Sequence, residues 1–259
     1  MEAGFTCTDL CAAIIVLALL ALVFLPRVQA GRDQTSSTRM RCLWNQRQLI
    51  QSIQQYADDN QGAIISSAGN SGGGFWPGPQ PNISSGIPLS EALLRVRTGI
   101  EQGVLWKYQL DHRIYHCPGD RRFENPVGNG WGYDSYAKMD GMNGGDWMGQ
   151  VRIRKFDAIP EPSLAIVFIE EAGYRGYNLG TWVANVNPPG WVDVPAIFHD
   201  TSSTLSYADG RVELHNWTSA FTIDAGLRSA QGNQITFAPP ASSDLTWVLR
   251  RYKHQDWTP

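Results

Sequence analysis

His199, Asp209, Glu213 and His215 carry the nitrogen and oxygen donors that a divalent cation takes. Zinc asks for three or four convergent N, S or O ligands, and calcium for six to eight oxygens. Glu213 and His215 are two apart, so on a strand they share a face. Asp209, at a turn, could add an oxygen. The distinctive spacing is His199-x9-Asp209-Gly210, and it has two readings. In one, His199 hydrogen-bonds a turn backbone and locks the last strands together, with no cofactor. In the other, the set holds calcium or another divalent cation. No phosphate loop, no His-Glu-x-x-His and no dinucleotide fingerprint is present, so no enzyme activity is expected. Asp58-Asp59-Asn60 lacks the twelve-residue calcium-loop pattern and reads as a helix-end cap. Trp76, Trp106, Trp131, Trp147, Trp182 and Trp191 could form a sugar-stacking face, but side chains of this size in a β domain are expected in its core.

A β-rich domain must position these residues. Thr204 to Ala208 and Arg211 to His215 flank Asp209-Gly210, which predicts a hairpin with a type I′ turn. Ser163 to Ile169 is a nearly continuous apolar run between Pro162 and Glu170-Glu171, as a buried central strand would be. Ile114 to Asp120 reads as a strand running into a turn, and Gly130 to Tyr136 as another strand. Residues 63–90 are rich in Gly, Ser and Pro and read as a loop, with a short helix from Ser90, its N-cap, to Arg97. The chain after Asn216 is weakly patterned. With 259 residues, a net charge of −3 and 17% charged residues, the chain suits one anchor helix and one ordinary domain. The near-neutral balance gives no nucleic-acid surface.

Upstream of that domain the pattern is helical. Leu43, Ile50, Ile53, Tyr56 and Ala57 recur at helical steps among glutamines, and Gly62 is placed as the C′ residue. Residues 5–25 are long enough to cross a hydrocarbon core of about 30 Å. Eleven of the sixteen residues Leu10 to Leu25 are Leu, Ile, Val or Phe, which favours insertion by roughly 3–6 kcal/mol. Asp9 opposes it by at most about 3.5 kcal/mol, less near a helix end. An acid retained there calls for a partner. Pro26 and Gly31 are expected to kink the helix, breaking it near Pro26 to Gly31 before it continues. Cys7 and Cys11, one turn apart, read as small apolar residues. Met1 to Gly4 carries no Lys or Arg, whereas Arg27 and Arg32 follow the apolar run.

Gly4-Phe5, then Asp9, then a membrane-length helix, resembles the class III signal of type IV pilins and type II secretion pseudopilins. Cys42-x-x-Asn45-x-Arg47-Gln48-Leu49, the helix end Tyr56-Ala57-Asp58-Asp59-Asn60-Gln61-Gly62, Cys117-Pro118-Gly119-Asp120, Gly130-Trp131-Gly132-Tyr133 and His199-x9-Asp209-Gly210 resemble boxes of the pseudopilin-like families of Planctomycetes and Verrucomicrobia. The resemblance implies a pilin-like α+β fold, with a long N-terminal helix packed on an antiparallel β-sheet. It implies a leader at 1–4, a transmembrane half at 5–26, an amphipathic half at 27–60 and a globular domain at 61–259. A prepilin peptidase would cut between Gly4 and Phe5, and Phe5 would be N-methylated. Asp9, where the family usually has Glu, would meet the Phe5 amine of a neighbouring subunit. Pro26 would be the family's kink. Partners would be like or related pilin subunits, the secretion-system inner-membrane assembly platform and the lipid bilayer. The chain would sit once across a bacterial inner membrane with an extracytoplasmic domain, and in a filament after assembly. In that oxidising setting Cys42 and Cys117 are expected to form a disulfide, the alternative being two free buried thiols. The rival from another class is a membrane-anchored extracytoplasmic binding protein for a glycan or surface ligand that does not polymerise.

Overall fold

The computed structural model describes residues 7–67, 76–79, 81–128, 130–145, 147–173, 180–232 and 242–255; side chains of residues 8, 9, 18–34 and 148 are outside that description. One α-helix of 53 residues, α1 (Cys7–Asp59), runs through Pro26 and Gly31 without the expected break. A proline takes one N–H out of a helix, and flanking hydrogen bonds can carry the helix past it. By contacts the chain divides into two compact units, Met1–Thr38 and Arg39–Pro259. In the first, Leu10, Ile14, Ile15, Val16 and Leu17 are exposed. Among the described residues no helix is long and apolar enough to cross a membrane; most of the expected membrane half, 5–26, lies outside the described side chains.

In the second unit α1 buries Cys42, Leu49, Ile50, Ile53 and Ala57, with Asn45 and Gln46 on the same seam. These positions recur every three or four residues, as a helix face against a core must. Leu43 and Tyr56, expected inside, are only half-buried. The helix ends one residue before Asn60. Gly62 N–H donates to Ala57 O at 2.8 Å, and Gln61 and Gly62 both have positive φ (56° and 76°). That is a Schellman closure with Gln61 at C′ and Gly62 one place beyond it, a correction of one position.

The remaining elements follow in order: α2 (Leu89–Glu101), β1 (Tyr136–Met139), β2 (Ile166–Glu170), β3 (Thr181–Trp182), β4 (Ala184–Val186), β5 (Pro189–Trp191), β6 (Ser202–Tyr207), β7 (Val212–Asn216), α3 (Ala220–Ala230) and α4 (Ser243–Leu249). The main sheet has the order β3-β1-β2-β6-β7, and β4 pairs with β5 separately. The fold is α+β, with the part of the long helix that lies in the second unit packed on β6 and β7. The sheet is mixed, not antiparallel, because β3 joins β1 in parallel. More than forty residues separate those two strands, room enough for a crossover. Strand β2 is central and buried at all five residues, as its apolar run requires.

Local expectations shifted where side chains compete for the backbone. His112–Tyr115 is a 3₁₀ turn and not a strand, because Asp111 Oδ1 accepts from Arg113 N at 2.9 Å. Helix α2 begins at Leu89 after Pro88, so Ser90 lies inside it and is not its cap. The strand expected at 130–136 starts only at Tyr136. The hairpin forms as expected, but only Gly210 of Asp209-Gly210 has positive φ (87°). Gly210 N–H donates to Tyr207 O and Tyr207 N–H to Arg211 O, both at 2.9 Å. The connection is thus a three-residue loop ending in a left-handed glycine, not a type I′ turn.

Candidate functional site

His199 and Asp209 stand at opposite ends of β6 and do not meet. A six-residue strand spans roughly 20 Å, so the cation set His199, Asp209, Glu213 and His215 is not one site. Glu213 and His215 do share a face, with His215 Nδ1 3.5 Å from Glu213 Oε1. Tyr207 Oη donates to Glu213 Oε2 at 3.1 Å, and Arg211 also donates to that carboxylate. His215 stacks on Trp247 with centroids 3.7 Å apart and meets Trp217 edge-on at 4.5 Å. Burial is the main reason the His215 imidazole titrates below its ordinary value. Asp209 Oδ1 accepts from Arg211 N at 2.9 Å and stays in its turn.

The His199 end is closed differently. Its carbonyl accepts from Ser202 N–H at 2.9 Å, with Asp200 at φ 57° between them. The expectation that its side chain hydrogen-bonds a turn backbone is corrected: it faces Glu170 and the disulfide. His199 Nε2 lies 3.1 Å from Glu170 Oε1 and 3.3 Å from Cys117 Sγ. Glu170 Oε2 accepts from Thr204 N–H at 2.8 Å. Cys42 and Cys117 form the expected disulfide, with Cα atoms 5.3 Å apart and a sequence separation of 75. Among the described residues, Cys42, Cys117, Glu170 and His199 bring one ligand atom each to within 4.8 Å of one another, and all are buried. With the sulfurs bonded to each other, only one nitrogen and one carboxylate oxygen remain for a cation, short of zinc's three or four.

The helix box now has a geometric account. Cys42 and Asn45 are one turn apart on α1, and both reach the segment at 116–117: Cys42 through the disulfide, Asn45 Nδ2 by donating to His116 O at 2.9 Å. Gln46 Nε2 donates to Thr204 O at 3.0 Å, and Gln54 Nε2 to Ala208 O at 3.1 Å. Arg47 Nη1 donates to Gly210 O. The polar residues of this helix hold β6 and its turn by their backbone carbonyls.

The Cys117-Pro118-Gly119-Asp120 box is a buried polar node. Arg122 grips both Asp120 oxygens, its Nη2 at 2.6 Å from Oδ2, and its Nη2 also donates to Asp134 O at 2.9 Å. Ser135 Oγ donates to Asp120 Oδ2 at 2.7 Å and accepts from Cys117 N–H at 3.0 Å. At Gly119 a Cβ would fall 2.7 Å from Phe198 O, so no larger residue fits beside His199 without a shift. Sequence reading passed over Glu170 as a site residue, although an acid ending an unbroken apolar strand is a signal. It also passed over Arg122 and Lys138. Lys138 is fully buried in β1, its amine pushed down to about 7 by burial, and it donates to Met142 O.

Trp76, Trp131, Trp182 and Trp191 are buried and Trp106 partly so, as core residues, whereas Trp147 is exposed against that expectation, its Nε1 donating to Asn185 Oδ1 at 2.7 Å. The sequence spells Gly-x-Ser-x-Gly at Gly69-Asn70-Ser71-Gly72-Gly73, outside the described residues. A nucleophile elbow follows a strand, and residues 63–67 before it belong to none. Gly4, Phe5 and the Asp9 side chain also lie outside the description, while the backbone at Asp9 and Pro26 is helical. No protein-family model, curated protein or solved structure matches the chain.

Proposed function

We propose that the chain is a pseudopilin-like structural subunit, cleaved after Gly4 and assembled through its N-terminal helix into a type II secretion pseudopilus or related type IV filament. The observation that carries this reading is α1. One helix bears Leu10, Ile14, Ile15, Val16 and Leu17 exposed near its start and a buried seam from Cys42 to Ala57 near its end. Five half-exposed aliphatic side chains leave on the order of 5–10 kcal/mol of burial unrealised in a single chain in water. A helix apolar all round belongs in a bilayer or among like helices. In the pilin reading it has both in turn: the inner membrane before assembly and neighbouring subunits after. Asp9 then gives the helix a reason to associate, because an acid in that setting is relieved by the Phe5 amine of the next subunit. The Cys42–Cys117 disulfide suits a domain outside the cytoplasm. A prepilin peptidase and an inner-membrane assembly platform are the partners this requires.

The test is intact mass and N-terminal sequencing of the protein from its native membrane. A mature chain beginning at N-methylated Phe5 is expected. Retention of Met1 to Gly4 in a non-polymerising protein would instead favour the anchored binding protein. The two also part at Asp9→Ala, which abolishes filament incorporation in the first case and leaves a lone anchor untouched in the second.

A further inference from the structure

We infer that Cys42, Cys117, His199 and Glu170 form a zinc site when the disulfide is open, so that one joint of the domain can be closed either by an S–S bond or by a metal. The donor set is two sulfurs, one imidazole nitrogen and one carboxylate oxygen, which selects zinc over calcium or magnesium. Zinc bonds of about 2.0–2.3 Å set the edges of a ligand tetrahedron at roughly 3.4–3.8 Å. Two edges are already near that length: Cys117 Sγ to His199 Nε2 at 3.3 Å and His199 Nε2 to Glu170 Oε1 at 3.1 Å. All four ligand atoms lie within 4.8 Å of one another in a buried setting.

The surroundings are those of a metal site as well. Glu170 is oriented by Thr204 N–H on its Oε2, which turns Oε1 toward the sulfurs. Gly119 N–H donates to Cys117 Sγ at 3.3 Å, a contact that strengthens when the sulfur becomes a thiolate. The ligands come from α1, the 116–120 segment, β2 and the turn before β6. Zinc would therefore tie α1 to the 116–120 segment, as the disulfide does, and add β2 and the turn before β6 to the same joint.

The chemistry balances without an unnamed reagent. A dithiol reductant passes two electrons and two protons to the S–S bond, becomes a disulfide itself and leaves two thiols on the chain. Zinc then displaces one proton from each thiol to water. His199 binds through the Nε2 lone pair with its proton on Nδ1, and Glu170 binds as the carboxylate. A newly translated, still reduced chain would so have its helix clamped; a disulfide donor would then take two electrons from the two thiolates and two protons from water, become a dithiol, leave the Cys42–Cys117 bond and release the zinc.

The experiment uses the full chain, oxidised and after reduction by a non-chelating phosphine, dialysed against zinc and assayed for bound metal and for folding by circular dichroism. One zinc per chain is expected in the reduced protein and none in the oxidised one, which is a control of identical sequence. Cobalt in place of zinc should give thiolate-to-metal charge-transfer absorption, weakened in Cys42→Ser and lost when Cys42 and Cys117 are both replaced by Ser. His199→Gln should weaken zinc binding at least roughly tenfold. The inference is overturned if the reduced, folded chain takes up no zinc. It is equally overturned if the oxidised chain takes up as much, or if reduction unfolds the protein and zinc does not restore it.

Discussion

Two histidine–carboxylate pairs, one where β2 meets the start of β6 and one along β7, share almost nothing but their chemistry. His199 and Glu170 are 1% and 0% exposed, while His215 and Glu213 are 15% and 30% exposed. The first pair bridges three elements and touches the disulfide; the second lies along one strand, backed by Trp217 and Trp247. Away from water, each lost partner strands a polar group at a cost of about 1–3 kcal/mol. At the surface water replaces the partner, and an ion pair contributes roughly 0–1 kcal/mol. The same residue types are therefore a fully buried structural joint in one place and a partly exposed pair in the other.

The comparison can be broken in a definite order. Replacing Cys42 and Cys117 together by Ser should cost about 2–5 kcal/mol, read as a lower urea midpoint. Glu170→Ala strands Thr204 N–H and the His199 imidazole and should cost about 2–4 kcal/mol by the same measurement. If instead it costs no more than Glu213→Ala, the buried pair is not the joint described here. At the far end of β6, Gly210→Ala forces a side chain into φ 87° and should cost about 1–2 kcal/mol. Glu213→Gln should shift the midpoint by less than about 1 kcal/mol.

The smallest effect lies on the pH axis and concerns the partly exposed pair. Burial lowers the His215 pKa from 6.5, as it also does for His112 and His116. Just below 6.5 the unfolded chain therefore binds more protons than the folded one, and stability falls as pH drops through that window. Urea midpoints from about pH 7.5 to about pH 5 should decline, and His215→Gln should flatten the decline by its share. An unchanged slope would place the effect on the other two histidines.

Much of the frame was legible because its signals are local. The apolar run Ser163 to Ile169 pointed to a buried strand, which forms at Ile166–Glu170 after an exposed turn at Ser163 and Leu164, and Asp209-Gly210 between alternating residues pointed to a hairpin. The Cys42 pairing followed from the compartment that the resemblance implied. The site was less legible. His199-x9-Asp209-Gly210 looked like one motif, yet β6 holds its ends apart, and the nine-residue spacing is the length of the turn and strand between two separate fastenings. Glu170 was missed because its partners come from β6, which holds Thr204, and from the turn before it, which holds His199. Helix α3 was missed because Thr222, Ala225, Gly226 and Ser229 on its buried face give little periodic contrast, and α4, with only Asp244, Leu245 and Val248 buried, is seven residues long and too short to show a period.

By itself the sequence determined the long helix, the central strand, the hairpin and the order in which they come. Those depend on the periodicity of neighbouring residues, which the chain carries in one dimension. Tertiary structure decided the mixed pairing of the sheet, the separation of His199 from Asp209 and the meeting of Glu170 with the disulfide. Those depend on which surfaces exclude water together, and residues far apart in the chain acquire a common environment only when the sheet closes on α1.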